Sequence, residues 1–276
     1  METPTRRHML AGLIASAVMP CPAFAKPTPV RLGGTGAALG GLELLKDSFG
    51  TQFPETPIEI LPSLGSGGGI RALSEQAIDV AFSARPLKDK EAALGLSAQI
   101  YAKTPLALIA NRDVPINSLS KNDLVKLYDG TVTTWDNGLQ ARVITRPPSE
   151  TDVVLVKAMS PEMAAAVDTL MQRPGLLVAR NDQQNVDMVE NTPGSIGVAT
   201  LAQIHSERRP VKILALDGVK PQATLASNAD NSFIKTFSFV TRADLSKDAG
   251  TFLAFLQSKP GQEILAASGH FPVSTS

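Results

Sequence analysis

The chain has 276 residues, 43% of them hydrophobic and 19% charged, and its 26 basic side chains balance 26 acidic ones. That length and apolar content suffice for one large core or two modest ones, while a formal charge of zero gives nucleic acid or an anionic membrane nothing to attract. Two Tyr and one Trp leave no basic stripe with interleaved aromatics for single strands either.

The first segment in chain order is not part of the fold. Arg6-Arg7, the apolar run from His8 to Met19 and the small-residue site Ala23-Phe24-Ala25 have the pattern of a cleaved export signal, expected over residues 1–25. The apolar run is too short to span a bilayer. Thr5-Arg6-Arg7-His8-Met9-Leu10 is also like a twin-arginine signal, with Met9 and Ala11 departing from it, so both export routes stay open. The single Cys, Cys21, lies inside this segment, and the preceding Met19-Pro20 is not the small pair that precedes a lipid-modified Cys. The remaining chain has no cysteine, so it relies on packing instead of disulfides, and export points to the periplasm.

From Pro29 onward, short β-rich runs alternate with helical patterns. Strands are expected at 29–32, 58–61, 79–82 and 106–110, with helices over 42–49 and from about Ile70. Ser120 with Asp123, and Ser160-Pro161-Glu162, read as helix starts; Gly130 and Pro174-Gly175 read as stops. Ser246 opens a further helix, and Lys259-Pro260-Gly261 a last one that ends near Ser268-Gly269. Strands separated by helices imply parallel pairing in an α/β sheet covered on both faces. No linker rich in Gly, Ser or Pro divides the chain, so any two lobes pack together.

Two strand ends share a design. Gly33-Gly34-Thr35-Gly36-Ala37-Ala38 and Gly65-Ser66-Gly67-Gly68-Gly69 each put small residues and one hydroxyl before a helix. Free amides and a positive dipole end stand there, and glycine lets an anion approach them. The same glycines can instead serve only tight turns. Leu39 breaks a dinucleotide fingerprint and Gly-Gly-Gly-Ile-Arg lacks the Walker lysine. Cations for such an anion are Arg85, in Phe82-Ser83-Ala84-Arg85-Pro86, and Arg146, followed by Ser149, Glu150 and Thr151. A guanidinium's paired donors fit a tetrahedral oxyanion, although either Arg can equally end in a surface salt bridge.

In the order GGTGAA, GSGGGIRAL, DVAFSARPLKDKE, PLALIANRDVPINSLSKNDLVKLYDGTVTTW, PGSIGVATLA and FLAFLQSKPGQEILAASGHFPV, the chain resembles the periplasmic solute-binding proteins of bacterial ABC transporters, in their phosphate-binding branch. The resemblance implies the type II periplasmic binding protein fold: two α/β lobes joined by crossing strands around a ligand cleft. Lobe I would be 26–110 plus 241–276 and lobe II 111–240. It further implies a small oxyanion ligand, phosphate foremost, no cofactor or metal, a partner permease and a monomer. Site residues carried over are Thr35, Gly36, Ala37, Ser66, Gly67, Gly68, Ser83 and Arg85 from one lobe, with Arg146, Ser149, Glu150 and Thr151 from the other.

Beside a short spacing from Arg146 to Ser149, two departures from the family's pattern stand out. Glu150 occupies a position that is usually Gly, and Ser83-Ala84-Arg85 stands where phosphate binders place an Asp. An unpaired carboxylate about 4 Å from a bound anion costs on the order of 1 kcal/mol even in a wet cleft. Glu150 therefore points away, pairs with Arg146 or Arg85, or accepts a hydrogen bond from a protonated ligand. A ligand sensor for a membrane receptor is an alternative use of the same fold. An enzyme is a further one, but His205 and His270 stand far apart, and no nucleophile elbow, zinc motif or mature Cys supports it. Acid pairs such as Asp79 with Glu91, or Glu150 with Asp152, have no context that makes them catalytic.

Overall fold

The computed structural model describes residues 27–222 and 233–273. The expected export signal, with Arg6, Arg7 and Cys21, lies outside them. Among the described residues no helix is long and apolar enough to cross a membrane.

The amino-terminal half runs β1 (Val30–Gly34), α1 (Gly36–Gln52), β2 (Ile58–Ile60), α2 (Gly65–Ser74), β3 (Val80–Ser83), α3 (Asp89–Ala92) and β4 (Ser97–Ala110). Then follow β5 (Ser118–Leu119), α4 (Lys121–Asp129), β6 (Arg142–Thr145), α5 (Thr151–Lys157), α6 (Pro161–Met171), β7 (Leu177–Val178) and α7 (Asp182–Asn191). The chain continues with β8 (Ser195–Thr200), α8 (Leu201–Ser206), β9 (Lys212–Leu216), β10 (Ile234–Thr241), α9 (Lys247–Gln257), α10 (Lys259–Ala267) and β11 (Phe271–Pro272).

The main strand order is β2-β1-β3-β10-β4-β8-β6-β7. Parallel pairing holds for β1 with β2 and β3, and for β6 with β7 and β8, as strands linked through helices require. The strands between them are antiparallel: β10 lies against β3 and β4, and β4 against β8 and β9. β4 is the crossing element. Its residues 97–105 pair with β10, and 106–110 pair with β8. Only that apolar second half was legible as a strand; the first half, Ser97 to Pro105, is interrupted by Gln99, Lys103 and Pro105.

Residues 234–240, expected in lobe II, are hydrogen-bonded into the lobe I sheet, so we place the crossings near 105 and 234. Lobe I packs around Leu45, Phe49, Phe82, Phe237 and Phe252. Lobe II packs around Leu124, Leu127, Trp135, Val167 and Leu170.

The caps read from sequence are made. Ser120, Ser160 and Ser246 accept the amides of Asp123, Met163 and Ala249 at 3.1, 3.1 and 3.2 Å. Gly130 closes α4 in the left-handed region. Two helices start earlier than their apolar residues suggest, α1 at Gly36 and α2 at Gly65. Gly65 to Gly69 is thus the opening of a helix and not a loop before one. Its last glycine has a packing reason: a Cβ on Gly69 would stand 2.6 Å from the Gly34 Cα, so the bare backbone lets α2 lie against β1.

Candidate functional site

Thr35 caps α1 at the carboxyl end of β1, buried, with no side-chain bond to its own helix. Gly36 and Ala37 follow it, also buried, with the amides of the first turn. Around this helix mouth the structure gathers four charged side chains from three other elements and the end of a strand. Arg146 comes from the loop after β6, Asp152 from α5, Asp182 from the first turn of α7 and Lys235 from β10. Their side chains are 3%, 4%, 8% and 3% exposed.

Asp182 is the centre of the cluster. Arg146 Nη1 lies 3.0 Å from its Oδ1 and Lys235 Nζ 3.8 Å from the same oxygen. Its Oδ2 stands 2.8 Å from where a Cβ on Gly36 would be, so the carboxylate fills the mouth of α1. Burial pushes the Asp182 carboxyl up, but Lys235, Arg146 and the Ala37 amide outweigh it and hold the group below its ordinary value. Asp152 touches Lys235 at 2.5 Å. For Asp152 burial wins, aided by the charge of Asp182, and its pKa lies above the ordinary range. Lys235 keeps its proton firmly, because Asp152 and Asp182 together exceed the effect of burial.

Arg146 is only partly satisfied. Nη2 faces Glu150 Oε2 at 3.2 Å and the Arg180 carbonyl at 3.4 Å. Nη1 is ion-paired with Asp182 at 3.0 Å, and Nε has no hydrogen-bond partner among the described residues. A buried guanidinium with an unspent donor is costly unless something accepts from it. Glu150, the N-cap of α5, has therefore taken the second of its three options and pairs with Arg146 from a 39% exposed position. Ser149 is exposed beside it, and Thr151 is the first residue of α5.

The second glycine-rich start is different. Ser66 Oγ accepts the Ala84 amide at 2.9 Å, tying α2 to the end of β3. Ser83 Oγ is spent on the backbone of Arg85. Arg85 reaches Glu91 with both terminal nitrogens, at 2.8 and 2.7 Å, and this bond holds the Glu91 carboxyl down at about 2. Gly67 is exposed, with Arg85 Nη2 3.6 Å from its would-be Cβ; Gly68 is half-buried. The structure thus gathers Thr35, Gly36, Ala37, Arg146 and Glu150 into one charged cluster, while Arg85 is committed elsewhere.

Asp182, Lys235, Gln183 and Ser63 were missed in the sequence. Gln183 Nε2 donates to the Gly36 carbonyl and to Glu207 Oε1, both at 2.9 Å. Ser63 Oγ is buried without a partner among the described residues, 2.8 Å from a would-be Gly36 Cβ. Lys235 left one signal: it lies on the buried side of β10 with Phe237 and Phe239. Asp182, in Asn181-Asp182-Gln183-Gln184, is indistinguishable from an ordinary first-turn acid.

Behind Arg146 a cavity of about 10 Å³ is lined by Tyr128, Thr145, Asp152, Val153 and neighbours. The larger pocket, about 390 Å³, is lined by Leu106, Leu108, Met159, Leu214 and Leu216 and shares no residue with the cluster. It borders Pro221 and Phe233, next to residues outside the description.

A family model for the PBP superfamily domain matches residues 18–260. The phosphate-binding protein PstS of Bacillus subtilis is 26% identical over 238 residues, covering 83% of this chain and 75% of that one. Among solved structures, a Clostridium perfringens protein with bound phosphate matches with a TM-score of 0.74 at 20% identity, over 90% of this chain and all of its own. An ABC-type phosphate transport receptor from Vibrio cholerae matches with a TM-score of 0.60 at 20% identity, over 88% of this chain and 99% of its own. At those identities the structural matches speak for the two-lobe fold.

Proposed function

We propose, for a chain that belongs to the PBP superfamily, that it is a periplasmic solute-binding protein, a monomer that captures phosphate between its lobes and delivers it to an ABC transporter permease. The observation that carries this reading is the place of Arg146: a buried guanidinium joined through Asp182 to the mouth of a 17-residue helix from the other lobe. A helix amino terminus and a guanidinium are complementary to the same tetrahedral anion from opposite sides.

In this reading the Gly36 and Ala37 amides and the Thr35 hydroxyl contact the anion from lobe I. Arg146 contacts it from lobe II, and Lys235 lies where β10 enters the first lobe. Ser66, Gly67 and Gly68 at the start of α2, Ser83 at the end of β3, and Ser149 and Thr151 at the start of α5 supply outer polar contacts. Lobe closure about the crossings near 105 and 234 brings the two halves of the site together. The chain is read as a binder and not an enzyme. His270 supports this: burial lowers its pKa to about 4, and it packs against the body of α1 at Gly41, away from the helix mouth.

The test is the melting temperature of protein stripped of ligand by unfolding and dialysis, with phosphate, arsenate, sulfate or molybdate added at millimolar concentration. A thousandfold excess over Kd stabilises by about 4 kcal/mol, at roughly 2–4 °C per kcal/mol for this size. A shift with phosphate and arsenate is expected. No shift with any of the four overturns the reading.

A further inference from the structure

Asp182 occupies the place where the positive groups of the two lobes converge. Its carboxylate lies between the amino termini of α1 and of its own helix α7, 3.0 Å from Arg146 Nη1 and 3.8 Å from Lys235 Nζ. The same segment bridges the lobes a second time, because Gln183 Nε2 donates to the Gly36 carbonyl and to Glu207. Counting Glu150, the cluster holds two cations, Arg146 and Lys235, against three carboxylates, Asp152, Asp182 and Glu150. A further anion placed among these groups meets an excess of negative charge unless one carboxylate withdraws. Asp152 is held by Lys235 at 2.5 Å on the lobe II helix α5, and Glu150 faces only the outer edge of the guanidinium. Asp182 is the carboxylate that engages the α1 mouth, Arg146 and Lys235 together.

We infer that Asp182 is a tethered stand-in for the oxyanion, which closes the cleft in the ligand's place and must be displaced from the α1 mouth and Arg146 before the ligand binds. Asp182 thereby sets the affinity of the site, as an internal competitor whose strength is subtracted from that of every external anion. Gln183 acts with it by holding the start of α7 against Gly36. The inference rests on the oxyanion reading of the same site.

Two substitutions separate competition from simple structural support. Asp182→Asn keeps the size of the side chain and leaves two cations facing two carboxylates, so the cluster stays balanced. Gln183→Ala removes the second bridge without changing charge. The stripped mature wild type and both variants are titrated calorimetrically with inorganic phosphate. The Kd of Asp182→Asn is expected to fall by about tenfold or more, and that of Gln183→Ala to fall by less. Equal or weaker binding by Asp182→Asn, while the wild type binds, overturns the inference and leaves the oxyanion reading standing. Should Asp182→Asn fail to fold, Gln183→Ala decides: tighter binding supports the inference, and unchanged or weaker binding overturns it. Absence of phosphate binding by all three proteins brings down the oxyanion reading and this inference together.

Discussion

Helices α1 and α2 begin alike, each with glycines, one hydroxyl and a first turn of free amides at the end of a strand. What stands before them differs. In front of α1 lie Arg146, Lys235 and Asp182, brought from 110 to 200 residues further along the chain and buried together. In front of α2 lie partners from the adjoining strand end: Ser66 bonds the Ala84 amide, and Arg85 bonds Glu91 six residues on. Glycine and a helix start provide access for an anion; in the proposed reading, buried charge delivered by distant elements decides which start uses it. The glycines themselves divide accordingly. Gly69 serves packing against Gly34, while Gly36 leaves room for Asp182.

Breaking the charge cluster has the largest expected effect. Lys235→Met leaves Asp152 and Asp182 with Arg146 as the remaining buried cation in the cluster, and stripping one partner from a buried pair costs about 3–5 kcal/mol. Denaturant unfolding of the variant measures this. Arg85→Ala, breaking the ion pair before α2, is expected to cost about 1 kcal/mol or less, as partly exposed pairs do. Equal losses would mean that the two helix starts are not energetically distinct.

A single methyl group sharpens the comparison further. Gly36→Ala would place its Cβ 2.4 Å from Gln183 Oε1 and 2.8 Å from Asp182 Oδ2, across the cleft. The crowding is expected to cost about 1–3 kcal/mol. Gly67→Ala meets nothing nearer than Arg85 Nη2 at 3.6 Å. Inside a helix it is expected to stabilise by roughly 0.5–1 kcal/mol. Thermal melts of the two variants should therefore move in opposite directions.

The legible part of the molecule was what neighbouring residues encode. Serine caps at 120, 160 and 246 and the glycine stop at 130 depend on amides within three or four residues, so their positions follow from sequence. Strands β1 to β3 were also visible through short apolar runs, and Arg146 was singled out as a candidate by its hydroxyl-rich surroundings. The start of α2 was misplaced because glycine has low helix propensity, and packing on Gly34 overrides it. Asp182 and Lys235 were hidden because their meaning lies in each other: a first-turn acid and a strand lysine become a site only when β10 and α7 meet. Arg85 is the opposite case: the surface salt bridge that its sequence also allowed is made with Glu91, six residues on.

The central claim is that Arg146, and not Arg85, receives the oxyanion at the mouth of α1. Arg146→Lys keeps the charge that Asp182 and Glu150 require but loses the paired donors. Calorimetric titration of the stripped wild type, Arg146→Lys and Arg85→Ala with phosphate is the direct measurement. Binding weakened by about tenfold or more in Arg146→Lys, and unchanged in Arg85→Ala, is the predicted result. Wild-type affinity in Arg146→Lys, or loss of binding in Arg85→Ala, would contradict it.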